Sequence, residues 1–150
     1  MPNLAATVSQ SMNAFCTNSN LTEADTTIVT ELLSCFGKAL QMPEEQFDAI
    51  TALSGSGPAF FAYFTQAMAD AGTNLGLSTA DAAMLAKQTL LGTATLLAGG
   101  SFEPNQLIDA VSSAKGTTAA GMEVLHKSSL RQIVGETLKA AADRSRELSR

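Results

Sequence analysis

The chain has 150 residues, nine Lys and Arg against fourteen Asp and Glu, and a formal net charge of −5, with an isoelectric point near 4.7. So acidic a chain, of about one domain's length, offers no basic patch to neutralise phosphates, which excludes nucleic acid and anionic membrane as partners. Five of the nine cations (Arg131, Lys139, Arg144, Arg146, Arg150) fall in the last 20 residues and read as the solvated face of a terminal helix.

The first 43 residues read differently from the rest. Met12–Thr17 and Lys38–Met42 have strand character. Between them Ile28, Val29, Leu32 and Phe36 recur at helical spacing, and Gly37 closes the run. Thr22-Glu23-Ala24-Asp25 resembles a capping box, with acids where the helix dipole favours them. A strand–helix–strand unit belongs at the edge of a larger parallel sheet, because alone it covers neither face.

From Pro43 the pattern is helix after helix. Glu44–Leu53 forms a short one, stopped by Ser54-Gly55-Ser56-Gly57, and Pro58 takes the first position of the next, which runs to about Gly72. Ser78-Thr79-Ala80-Asp81 starts a helix reaching Ala98, and Pro104 a short one through Leu107–Val111. Thr117 or Thr118 caps the next, and Ser128 or Ser129 the last, whose apolar stripe is Leu130, Ile133, Val134, Leu138 and Ala141. Across Ala59–Ala98 only Asp70, Asp81 and Lys87 are charged. Helices apolar most of the way round need burial on most sides, and residues 44–150 are too few to wrap them. A second copy of the chain is the simplest cover.

Cys16 and Cys35 form no CxxC and have no histidine cluster beside them, so they read as free, buried thiols in a reducing cytosol. Met1-Pro2-Asn3-Leu4-Ala5 lacks the basic start of a signal peptide. Residues 88–102, the longest nearly uncharged stretch, are too few and too rich in Gly and Thr to span a bilayer. A cytoplasmic protein without a membrane partner is expected.

The lone histidine, His126, cannot build a metal cage with two distant cysteines, so no metal site is expected. Two glycine-containing helix starts remain. Ser54-Gly55-Ser56-Gly57-Pro58 lacks the Lys-Ser/Thr ending of a P-loop and the third glycine of a dinucleotide fingerprint. Its small residues suit either a plain helix junction or the close approach of a ligand to backbone. Ser112-Ser113-Ala114-Lys115-Gly116-Thr117-Thr118 sets hydroxyls around a glycine at a helix start, where free N–H groups favour a small carboxylate. An ordinary threonine N-cap fits that pattern equally well.

Thr51–Ala59, Ala67–Gly72, Leu75-Gly76-Leu77, Ala86–Gly92, Val111-Ser112-Ser113, Gly116–Gly121 and Ala142–Leu148 together closely resemble the C-terminal region of 1-pyrroline-5-carboxylate reductases. Met1-Pro2-Asn3 is similar to the family's Met-Pro-Asn motif. The resemblance implies a mainly α fold, a helical dimerisation domain like the C-terminal domain of 6-phosphogluconate dehydrogenase, over residues 44–150. Residues 1–43 would be the C-terminal end of a truncated Rossmann domain, a residual strand–helix–strand. It further implies a homodimer, with assembly beyond the dimer left open, and reduction of 1-pyrroline-5-carboxylate to L-proline in proline biosynthesis.

By the same resemblance Ser113, Gly116, Thr117 and Thr118 bind the substrate carboxylate, and the Thr118 hydroxyl meets the ring nitrogen as the catalytic group. Asn3 and Pro58 line the nicotinamide of NADPH or NADH. Such chemistry asks mainly for orientation and exclusion of water. The chain departs from the family in carrying Ala114-Lys115-Gly116 for the usual Pro-Gly-Gly, and Leu4-Ala5 for Thr-Pro. No strand followed by G-x-G-x-x-G occurs, so the chain alone is expected to bind no dinucleotide and to show no turnover. The alternatives are a non-catalytic dimerisation or ligand-binding module derived from this family, or a related imine or β-hydroxyacid reductase.

Overall fold

The computed structural model describes residues 1–149, so Arg150, one of the five C-terminal cations, lies outside it. The chain forms two compact units, Met1–Phe61 with Ile133–Arg150, and Ala62–Gln132.

In the first unit, β1 (Ser11–Phe15) and β2 (Gly37–Gln41) pair in parallel, from Ser11 opposite Gly37 to Phe15 opposite Gln41. The crossover between them is α1 (Glu23–Ser34). The expected strand–helix–strand is therefore present, with both strands starting one residue earlier than the pattern suggested. Thr22 caps α1 as expected: its hydroxyl accepts from the Asp25 N–H, and the Asp25 carboxylate accepts from the Thr22 N–H at 2.9 Å. Asn13, fully buried in β1, donates from Nδ2 to the carbonyls of Leu33 at 3.0 Å and Lys38 at 3.2 Å. One amide thus ties strand, helix end and second strand together. Gly37, at φ +142°, lies so close to the Ser11 backbone that a Cβ there would overlap it.

Met1 runs alongside β1. Its ammonium donates to the Ala14 carbonyl at 2.6 Å, and the Ala14 N–H returns a bond to the Met1 carbonyl at 3.0 Å. Two residues that exchange both bonds form a hydrogen-bonded pair of the antiparallel kind. A 3-10 turn, Leu4–Val8, follows, capped by the Asn3 side chain.

After β2 the chain passes through a 3-10 turn (Glu44–Gln46), α2 (Phe47–Ile50) and a π-helical turn (Thr51–Gly55) into α3 (Gly57–Asn74). Ser54-Gly55-Ser56-Gly57 was expected to stop the helix. It instead widens the helix, with the Ser56 N–H reaching back to the Thr51 carbonyl at 2.8 Å. The cause lies downstream. In a continuous α-helix residue 58 would donate to the Ser54 carbonyl, and Pro58 has no N–H. Pro58 is accordingly the second residue of α3 rather than the first.

The second unit holds the rest of α3, then α4 (Thr79–Ala98), α5 (Pro104–Val111) and α6 (Thr117–Lys127). Ser78 caps α4 as expected, its hydroxyl accepting from the Asp81 N–H at 3.1 Å. α3 and α4 meet on small residues. A Cβ on Gly72 would lie 3.3 Å from the Ala82 Cβ, and Ala69, Ala82 and Ala86 are buried. The large side chains point elsewhere: Tyr63 is 80%, Met84 63% and Leu91 60% exposed. The apolar surplus of these helices is left uncovered in the single chain. α7 (Leu130–Leu148) closes the sequence, its Arg146 pairing with Asp48 of α2 at 3.6 Å. Among the described residues no helix is long and apolar enough to cross a membrane.

Candidate functional site

In the second unit the candidate residues meet at the start of α6. Ser113–Gly116 is a tight turn closed by the Gly116 N–H on the Ser113 carbonyl at 2.9 Å. Its third residue, Lys115, sits at φ +61°, the left-handed conformation that a type II turn requires and glycine usually supplies. Gly116 is the N-cap, with no side-chain hydrogen bond. The expected threonine cap is thereby corrected: Thr117 and Thr118 are the first two helical residues. Gly116 is forced into that place by packing. A Cβ on it would collide with the Ser113 hydroxyl and stand 3.1 Å from the Ser113 carbonyl oxygen.

The start of α6 is therefore open. Its first N–H groups have no acceptor within the helix, no side chain caps them, and the first turn carries no acid. α1, by contrast, carries a reciprocal capping box, and at α5 the Gln106 side chain accepts from the Glu103 N–H at 2.9 Å. Ser112, just before the turn, has a buried hydroxyl without a partner. Thr118 is half-buried, while Ser113 and Thr117 are exposed. Donors cluster here without competing carboxylates, an arrangement that favours an anion.

The other two candidates, Asn3 and Pro58, belong to the first unit. The Asn3 side chain is used at both ends: Oδ1 accepts from the Ala5 N–H at 3.0 Å, and Nδ2 donates to the Ser54 carbonyl at 3.0 Å. That carbonyl is the one Pro58 cannot serve. Asn3 and Pro58 are thus linked through Ser54, a relationship their sequence separation hides. The signal was a proline four residues after a helical serine. Beside Pro58, Gly57 is buried, yet an added Cβ would meet nothing within 4 Å. The Ser54-Gly55-Ser56-Gly57 turn is made of small residues and carries no charged side chain.

Elsewhere, His126 is exposed in the last turn of α6. Both cysteines are free thiols, but the expectation that they are buried is corrected: Cys16 is half-buried and Cys35 is exposed. Among the described residues no three His, Cys, Asp or Glu side chains gather as metal ligands. Cys16 donates to the Glu44 carboxylate at 3.4 Å, in a cleft of about 420 Å³ beyond the ends of β1 and β2. Lost hydration there, followed by the Glu44 carboxylate, raises the thiol's pKa above its ordinary value.

These features define a helical domain joined to a parallel strand–helix–strand, with the start of α6 left uncapped. Residues 44–148 match the family described as pyrroline-5-carboxylate reductase dimerisation. The chain is 43% identical over 149 residues to the pyrroline-5-carboxylate reductase of Arabidopsis thaliana, covering 99% of this chain and 54% of the relative. Against that of Synechocystis it is 41% identical over 150 residues, covering all of this chain and 56% of the relative. The solved reductase of Coxiella burnetii matches all of this chain and 56% of its own at a TM-score of 0.96 and 31% identity. That of Plasmodium falciparum, solved with NADP bound, matches all of this chain and 62% of its own at 0.88 and 30%. The chain belongs to the pyrroline-5-carboxylate reductase family, a family of oxidoreductases. It spans about half the length of the curated relatives it matches.

Proposed function

We propose that this chain is the dimerisation and substrate-holding part of a pyrroline-5-carboxylate reductase of proline biosynthesis. The observation that carries the reading is the uncapped start of α6 on Gly116, whose N–H groups suit the carboxylate of a small cyclic imino acid. In this reading Ser113, Gly116, Thr117 and Thr118 hold that carboxylate, and the Thr118 hydroxyl is the catalytic group, hydrogen-bonding the ring nitrogen. NADPH or NADH, when bound, supplies the hydride. Asn3 and Pro58 line the nicotinamide, Asn3 doing so by keeping the Ser54 turn in shape. The chemistry asked of the protein is orientation and exclusion of water.

Residues 44–150 act as the dimerisation domain and residues 1–43 as the end of a Rossmann domain. The start of the family match at residue 44 supports that division. The exposed apolar faces of α3 and α4 support a homodimer, since large apolar patches on a folded chain mark interaction surfaces. Two free thiols support a reducing, cytoplasmic setting. The chain by itself has no dinucleotide affinity and no reductase turnover, because no G-x-G-x-x-G follows a strand.

Titration with L-proline while the Thr117 and Thr118 amide resonances are followed tests the site. Saturable shifts confined to the start of α6 are expected, and their absence at high proline would overturn the assignment. Proline formation by the purified chain with NADPH would refute the claim of inactivity.

A further inference from the structure

Lys115 is the one non-glycine residue besides Ser9 that the structure describes at positive φ. A lysine in that conformation carries a backbone cost that glycine would avoid. It also stands one residue before the N-cap of α6, at the positive end of the helix dipole, where a cation is unfavourable. Neither cost is offset within the chain. Lys115 is exposed and has no hydrogen-bond or ion-pair partner among the described residues, and the first turn of α6 carries no acid. Lys127, the other lysine at this helix, is by contrast paired with Glu123. The hydroxyl of Ser112, three residues before Lys115, is buried and also lacks a partner. A strained, unpaired cation, open N–H groups and an orphaned hydroxyl within seven residues share one remedy: an anion.

We propose that Lys115 is a specificity-determining residue that pairs its ammonium with the carboxylate of the ligand held at the α6 start. The proposal rests on the site reading given above and adds a charge to it. The N–H groups of the helix start favour an anion modestly through the dipole, and the threonine hydroxyls serve neutral and charged acceptors alike. A lysine on a flexible four-carbon stem beside them sharpens the preference for a carboxylate over its neutral amide. Lys115 directly precedes the N-cap Gly116, so its stem starts one peptide unit from the first turn.

The test compares L-proline with L-prolinamide, which lacks the carboxylate, as probes of the full 150-residue chain by amide spectra. The wild type is expected to bind L-proline more tightly than L-prolinamide. Lys115→Gln keeps a non-glycine residue at positive φ and removes only the charge. It should weaken L-proline binding about threefold or more, as the loss of a partly screened ion pair would, and leave L-prolinamide unchanged. Lys115→Arg should retain most of the preference. Equal L-proline affinity in wild type and Lys115→Gln overturns the role of Lys115 while leaving the site standing. No wild-type response at Thr117 and Thr118 overturns the site, and this proposal with it.

Discussion

Asn3 and Ser54, 51 residues apart, are joined by a 3.0 Å hydrogen bond from the Asn3 side-chain amide to the Ser54 carbonyl. The bond replaces a helical donor that Pro58 cannot be, so an asparagine near the N-terminus completes the entrance to α3. Asn3→Asp keeps the acceptor for the Ala5 N–H and removes the donor to Ser54. It should destabilise the chain by about 1–3 kcal/mol, the usual cost of an unanswered carbonyl. Pro58→Ala restores an N–H at residue 58, so the double variant should lose less than the sum of the two single changes. Denaturant midpoints for the four proteins read the coupling, and strict additivity would count against it.

Gly116 offers a second test. A methyl group there meets the Ser113 hydroxyl and the Ser113 backbone. Gly116→Ala should cost about 1–3 kcal/mol through overpacking and should abolish the L-proline response of the α6 amides. Adding Ser113→Ala relieves only the hydroxyl, since the Ser113 carbonyl oxygen remains 3.1 Å from the new Cβ. Thermal melting and the same titration check both. A Gly116→Ala protein with wild-type stability and binding would show that the close approach is not required.

The α1 cap predicts a pH dependence. Hydrogen bonds from the Thr22 hydroxyl and then the Thr22 N–H hold the Asp25 carboxyl below its ordinary value of 3.8. A pKa lowered by folding stabilises the folded chain above the unfolded value and stops doing so as pH falls through the folded one. The cap's contribution should therefore be constant from neutral pH down to the ordinary carboxylate range and vanish below it. Asp143, lowered first by its bond from Lys139, adds loss in the same window. Thr22→Val should move the Asp25 midpoint upward in a carboxyl-carbon titration, and an unmoved midpoint would assign the shift to another cause.

The raised thiol of Cys16 gives a prediction of reactivity. At neutral pH less of it is thiolate than an ordinary cysteine would supply, so alkylation should be slow and should accelerate only at more alkaline pH. Glu44→Gln removes the neighbouring negative charge and should speed alkylation of Cys16 at neutral pH. Mass spectrometry of the labelled peptide distinguishes it from Cys35.

Local signals in the sequence located much of this fold. Thr22 with Asp25 and Ser78 with Asp81 announced helix starts because a cap is made by residues three apart, and the structure keeps both. The strand–helix–strand was legible because two short segments of strand character flank a run of apolar residues at helical spacing, Ile28, Val29, Leu32 and Phe36, within 43 residues. The misreadings share a different cause. Ser54-Gly55-Ser56-Gly57 looked like a stop, since small residues weaken a helix, but a distant amide from Asn3 and the missing N–H of Pro58 turned it into a wide turn instead. Thr117 looked like a cap by type, and the packing of Gly116 on Ser113 moved the cap one residue back.

The sequence by itself determined the family, the helical character and the cluster of hydroxyls around Gly116, because motifs and caps are short-range properties of neighbouring residues. Tertiary structure alone decided that the α6 start is uncapped, that Lys115 occupies a left-handed turn, and that Asn3 serves Ser54. Asn3 reaches Ser54 only because segments 51 residues apart pack together, while the α6 start and the Lys115 turn rest on the close approach of Gly116 to Ser113, a contact in space that residue types alone do not show.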